Sequence, residues 1–199
     1  MRKAMVFIIL SILLALTGCN DFGKVDQGRV VAYNEDARIV TILRDKSPDA
    51  KKTDYTELPP VSYSLPQDPN ESGPEPKTGR LMKVDPDKKE VLIFLSDSNT
   101  LATVNFNTVE QKSVDSKDPL VYDSAAKKSK SFPVMDPEKK TITTYLKKRK
   151  ILLTLSVAEE HYAMGPEAWT TGDEVRIYYK EQGKALRFMN VSKTDIFKK

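Results

Sequence analysis

One hairpin, written twice, limits this chain more than any other feature. Residues 28–45, GRVVAYNEDARIVTILRD, read as strand, polar turn and strand, with the turn at Asn34-Glu35-Asp36. Fifty-one positions later, residues 79–97, GRLMKVDPDKKEVLIFLSD, repeat the scheme. Without gaps, Gly28/Gly79, Arg29/Arg80, Asp36/Asp87, Val40/Val91 and Ile42/Ile93 coincide, and Val30/Leu81 and Leu43/Phe94 are matched apolar pairs. A duplicated hairpin points to a fold of antiparallel ladders. The second strand of each copy, Ile39–Leu43 and Val91–Leu95, is apolar at consecutive positions. That is the pattern of a strand covered on both faces, or of one curled inside a small barrel.

The rest of the chain continues in the same idiom. Leu101–Val109 is predicted as a further strand. Ile151, Leu153, Leu155 and Val157 share one face of a strand, as do Val175, Ile177 and Tyr179, because strand side chains alternate. Glu181-Gln182-Gly183 turns the chain, and Ala185–Val191 returns as a partner. Only Ala158–Met164 looks helical, for one or two turns ended by Gly165-Pro166. Trp169, the only tryptophan, is expected to plug one end of a barrel. Residues 46–78 hold seven of the 12 prolines; within them Val61–Leu65 reads as an edge strand, and 66–78 as too polar to pack. Residues 112–140 read as irregular, with a mobile loop at 125–131. The expected fold is therefore all-β, a small barrel of the SH3-like or OB-like kind, built from antiparallel hairpins with one short helix. A single unit over 28–199 with a Pro-rich insert at 46–78 is favoured over two barrels, 28–112 and 140–199.

The amino terminus carries a different message. Arg2 and Lys3 precede a nearly unbroken apolar run, Met5–Leu16. As a helix this run would be about 18 Å long, short of the roughly 30 Å of hydrocarbon in a bilayer but suited to an export signal. It ends in Leu16-Thr17-Gly18-Cys19, which resembles the lipobox of bacterial lipoproteins. That resemblance implies a signal peptide over 1–18, lipidation of Cys19 by thioether formation, and an anchor and tether over 19–27. Cys19 is also the only cysteine, so disulfide frameworks and cysteine metal sites are excluded within one chain. Arg2 and Lys3 supply half of the formal charge of +4, so the exported part would be nearly neutral, which disfavours nucleic-acid binding.

No motif calls for a cofactor, a metal or a catalytic set. His161, beside Glu159 and Glu160, cannot build a transition-metal site alone and is expected on a helix surface. Asp85-Pro86-Asp87 with Glu90, and Asn34-Glu35-Asp36, offer oxygens for calcium, but both stand where a hairpin wants turn residues. Lys147, Lys148 and Arg149, followed by Lys150, form the densest basic cluster. They are either a contact for anionic head groups or, as preferred, a solvated hairpin turn. Among the eight tyrosines, Tyr178 points away from the face carrying Tyr179. With Trp169, Lys147, Lys148 and Arg149 it makes up the candidate partner-binding set.

The lipobox, the Gly-Arg hairpins and TTGDEVRIYYKEQGKALRFMNVSK at 170–193 together resemble an uncharacterised family of bacterial lipoproteins carrying a domain of unknown function. The resemblance implies membrane attachment through an amino-terminal lipid, facing the periplasm or the cell exterior, and brings no catalytic residue with it. The expected role is a non-enzymatic binding or scaffolding domain of the cell envelope, its partner a protein or a glycan. The alternatives are an envelope hydrolase using paired carboxylates and an accessory subunit of a membrane enzyme complex.

Overall fold

The computed structural model describes residues 22–47, 49 and 52–194; the signal segment and Cys19 lie outside the described residues. The all-β expectation holds. Strands β1 (Lys24–Asn34), β2 (Ile39–Arg44), β3 (Glu57–Ser64), β13 (Glu174–Tyr179) and β14 (Ala185–Asn190) form one antiparallel sheet in the order β14-β13-β1-β2-β3. Strands β4 (Leu81–Asp85), β5 (Glu90–Leu95) and β6 (Thr100–Asn105) form a second sheet. A third has the order β10-β11-β12-β7, from β7 (Asn107–Ser113), β10 (Val134–Asp136), β11 (Thr141–Leu146) and β12 (Ile151–Ser156). Strands β8 (Tyr122–Asp123) and β9 (Lys128–Ser129) pair as a small hairpin that takes up the segment expected to be a mobile loop. No helix among the described residues is long and apolar enough to cross a membrane.

The duplication survives in three dimensions down to single residues. In the first copy Val30 faces Ile42, a bulge follows at Val31, and Tyr33 faces Val40. In the second, Leu81 faces Ile93, the bulge falls at Met82, and Val84 faces Val91. The turns match too. The side chain of Asn34 accepts from the Ala37 N–H at 2.9 Å, and that of Asp85 from the Lys88 N–H at 3.1 Å. Arg38 and Lys89 then take the left-handed backbone, at φ 52° and 56°. Even the third strands agree: Val40 faces Tyr63 as Val91 faces Val104, and the N–H groups of Leu65 and Phe106 donate to Arg38 and Lys89. The same Asx turn, closed by a left-handed lysine, recurs at Asp123–Lys127 and Asp136–Lys140. A short side-chain oxygen, the Asn34 amide carbonyl or an aspartate carboxylate, caps the turn N–H groups in all these places.

Each copy builds its own core. Val30, Val40, Ile42, Tyr63, Val175, Ile177 and Phe188 fill the first. Leu81, Val91, Ile93, Val104, Phe106, Leu153, Leu155 and Trp169 fill the second. Phe106 is the one residue between β6 and β7, so the chain bends there and carries the second sheet into the third around one core. The first sheet curls instead until an isolated bridge, Ser64 to Lys184, brings its two edges together, and a second, Ser72 to Phe188, ties the following tract to β14. A third cluster joins the copies through equivalent residues: Val31 and Leu43 from one, Met82 and Phe94 from the other, with Tyr55. This explains the consecutive apolar positions, since Ile42 and Ile93 face their own cores while Leu43 and Phe94 face the shared cluster.

Four details depart from expectation, the first being a second one-turn helix, Pro166–Trp169, beyond the single helix expected. The segment expected to be a tether already contains the first strand, because Lys24–Gln27 pair with Arg176–Tyr179 on β13. The edge strand β3 begins at Glu57 rather than Val61. The tract 66–78 does pack, by hydrogen bonds rather than apolar burial. Gly73 N–H donates to Phe188 O, Phe188 N–H to Glu71 O, and Lys77 N–H to the Asp173 carboxylate at 2.8 Å. Buried Asn190 donates to the same carboxylate at 2.8 Å and to Pro74 O at 3.3 Å. These partners satisfy polar groups that apolar packing could not.

Candidate functional site

Strand alternation carries a charged group into one end of the first core. Counting back along β1 from core residue Val30, Gly28 and Asp26 share its inward row, so a carboxylate enters the end of a hydrophobic core. Such a group requires partners. The Tyr63 hydroxyl donates to Asp26 at 2.5 Å and the Tyr179 hydroxyl at 3.3 Å, the two rings standing 5.2 Å apart. Burial, and then the bond to the Asp26 carboxylate, push the Tyr63 hydroxyl far above its ordinary range, so it remains a proton donor. Arg44, the last residue of β2, reaches Asp26 at 3.8 Å and forms a close ion pair with Glu57; Lys46 reaches the other Glu57 oxygen at 3.8 Å. The Arg44 Nε is buried with no hydrogen-bond partner.

Asp26, Arg44, Lys46 and Glu57 line an open cleft of about 370 Å³, together with Val25, Gln27, Asp45 and Ser47, and the two tyrosines hold Asp26 from behind it. Its walls come from the start of β1 and from the β2–β3 connection, residues 45–56. The equivalent connection in the second copy is only residues 96–99. The polar cluster has no counterpart there either: Arg44 corresponds to Leu95, and Tyr63 to Val104. The fold therefore does not require the charges. Two cations and three carboxylates around one cleft can meet a ligand that carries both donors and acceptors.

The residues singled out from sequence are scattered. Trp169 is 1% exposed in the second core, its indole N–H donating to His161 O at 3.3 Å, so its ring offers no surface to a partner. Lys147–Arg149 form a 3-10 turn between β11 and β12, in which Arg149 pairs with Asp87 at 2.7 Å and Lys148 with Glu174 at 3.9 Å. Tyr178 is partly exposed on the outer face of β13, opposite Val25. None of these lines the cleft. His161 sits on the one-turn helix Glu159–Tyr162, beyond it, and the oxygens proposed for calcium cap their own turns. No cluster of three histidine, cysteine or acidic side chains suited to a metal is present among the described residues. Sequence reading missed Asp26 because it fell inside the expected tether, although the row Asp26–Gly28–Val30 carried the signal.

No curated protein and no solved structure matches the chain. One family model does, described as a domain of unknown function (DUF4881) and matched over residues 21–199, so the chain belongs to that family.

Proposed function

We propose that this protein is a cell-envelope lipoprotein, held by lipid on Cys19, whose β-domain binds a polar partner at the Asp26–Arg44 cleft without transforming it. The observation that carries the reading is the contrast between copies. One copy places Arg44 and Tyr63 where the other places Leu95 and Val104; Tyr63 and Val104 hold the same register, while a shift in the β2–β3 ladder sets Arg44 opposite Glu57. Polar groups that a fold can do without cost stability, and their retention fits a binding role. The basic start, apolar run and Leu-Thr-Gly-Cys ending support export and anchoring. Two or three acyl chains would hold such a domain stably, where a single chain would not. A peptide segment or a sugar chain, with donors and acceptors side by side, suits a cleft of this composition.

Two measurements test the reading. Cys19→Ser should leave the precursor uncleaved or release the protein to the soluble fraction; a variant that fractionates and migrates like the parent defeats the anchor. Capture of partners from detergent-extracted envelopes should be lost in Arg44→Leu, which copies the second repeat. Equal recovery by parent and variant would remove the cleft from the account.

A further inference from the structure

The outer face of the first sheet carries an apolar strip beside the point where the chain leaves the described structure. Phe22 is 88% exposed and Val25 61%. Val25 faces Tyr178 across the β1–β13 ladder, and Tyr178 faces Arg187 on β14, where a bulge also presents Leu186. Tyr178 is 36% exposed and Leu186 45%. The Tyr178 ring lies directly over Gly23, where a Cβ would come within 2.3 Å of it, so this aromatic is packed on the chain just ahead of β1. Arg176, two residues before Tyr178 on the same face of β13, adds an exposed cationic side chain; Lys24 is exposed too but belongs to the opposite row, with Asp26.

What covers this strip follows from chain length. Cys19 precedes Phe22 by three residues, and three residues span at most about 11 Å however they run. On the anchored reading of the preceding section, on which this inference rests, the acylated sulfur lies at the head-group level. The exposed phenyl ring is then within one short tether of the bilayer. Aromatic and aliphatic side chains flanked by cations are the groups that partition into that interface, the rings at head-group depth and the cations against anionic lipid. We infer that the Val25–Tyr178–Leu186 face, with Phe22 on the chain just ahead of it, rests on the surface of an anionic bilayer, so that the protein lies against its membrane instead of swinging free above it. Val25 also borders the polar cleft, so docking would hold the cleft mouth beside the head groups.

Site-directed spin labelling of the full-length lipoprotein in vesicles containing phosphatidylglycerol tests this. The chain has a single cysteine, spent on lipid under the anchored reading, so a cysteine introduced at Val25→Cys or Tyr178→Cys takes the label alone. Val109→Cys, exposed on β7 of the third sheet, is the reference. The expected result is a several-fold loss of collision with a water-soluble relaxation reagent at positions 25 and 178, with position 109 fully accessible. If all three labels are equally accessible on vesicle-bound protein, the docking face is wrong while the anchor stands. If the parent chain itself takes label at Cys19, the anchor is wrong and the tether argument falls with it.

Discussion

The two hairpin copies share their register, their bulge, their turn and their place in the cluster between them, yet they enclose different chemistry. The first closes around Asp26, Tyr63, Tyr179 and Arg44; the second closes around aliphatic side chains and Trp169. The first also has the longer β2–β3 connection, which supplies the cleft wall and Tyr55. One backbone thus tolerates both a polar and an apolar filling. The difference separates what the fold needs, namely the bulge, the turn and the inward aliphatic row, from what has been placed on it.

The heaviest blow to this comparison would fall on the shared cluster. Phe94→Ala should cost about 3–5 kcal/mol and Leu43→Ala about 2–5 kcal/mol, because both side chains are buried and each removal leaves a cavity. Since equivalent residues of the two copies meet there, both substitutions should lower the same unfolding transition. Chemical denaturation with two resolved transitions, only one of them moved by Phe94→Ala, would show that the copies do not support one another.

The polar core yields a smaller effect. Tyr63→Phe removes the shortest donor to Asp26 and leaves that carboxylate under-satisfied, at about 1–3 kcal/mol. Arg44→Leu reproduces the second copy at one position but leaves Asp26 and Glu57 without their shared cation. Because all three side chains keep some solvent exposure, the loss should be about 1–2 kcal/mol, below that of a fully buried pair. If Arg44→Leu raises stability instead, the cluster is a cost borne for binding alone, which sharpens the functional contrast.

Much of this was legible from residue order because hairpins are local. The match of Gly28–Arg44 with Gly79–Leu95 records turn chemistry and inward rows set within a few residues of one another. The correspondence of β3 with β6 was hidden, since connections of different length break an ungapped alignment just where the third strand begins. The packing of 66–78 was hidden for another reason. Its stability comes from distant partners, Phe188, Asp173 and Asn190, which no local pattern of hydrophobicity reports. The site suffered from both. Asp26 is read as core only once β13 pairs with it, and its tyrosine donors lie 37 and 153 residues away.

The smallest effect probes the turns, where the capping side chains of the two copies differ by one atom type. Asn34 and Asp85 cap the same turn, but only Asp85 titrates. The backbone N–H groups of Lys88 and Asp87 hold its carboxyl below the ordinary carboxylate range. A carboxyl whose folded value is depressed stabilises the protein above its unfolded value, and that contribution disappears as pH falls through the folded one. Asp85→Asn should therefore flatten the acid side of a plot of Tm against pH, and Asn34→Asp should steepen it. Each change should stay below about 1 kcal/mol because the turn is solvated. Equal and opposite effects would establish that the two turns are energetically as well as geometrically the same. An acid limb unchanged in both variants would mean that the resemblance of the copies stops at their shape.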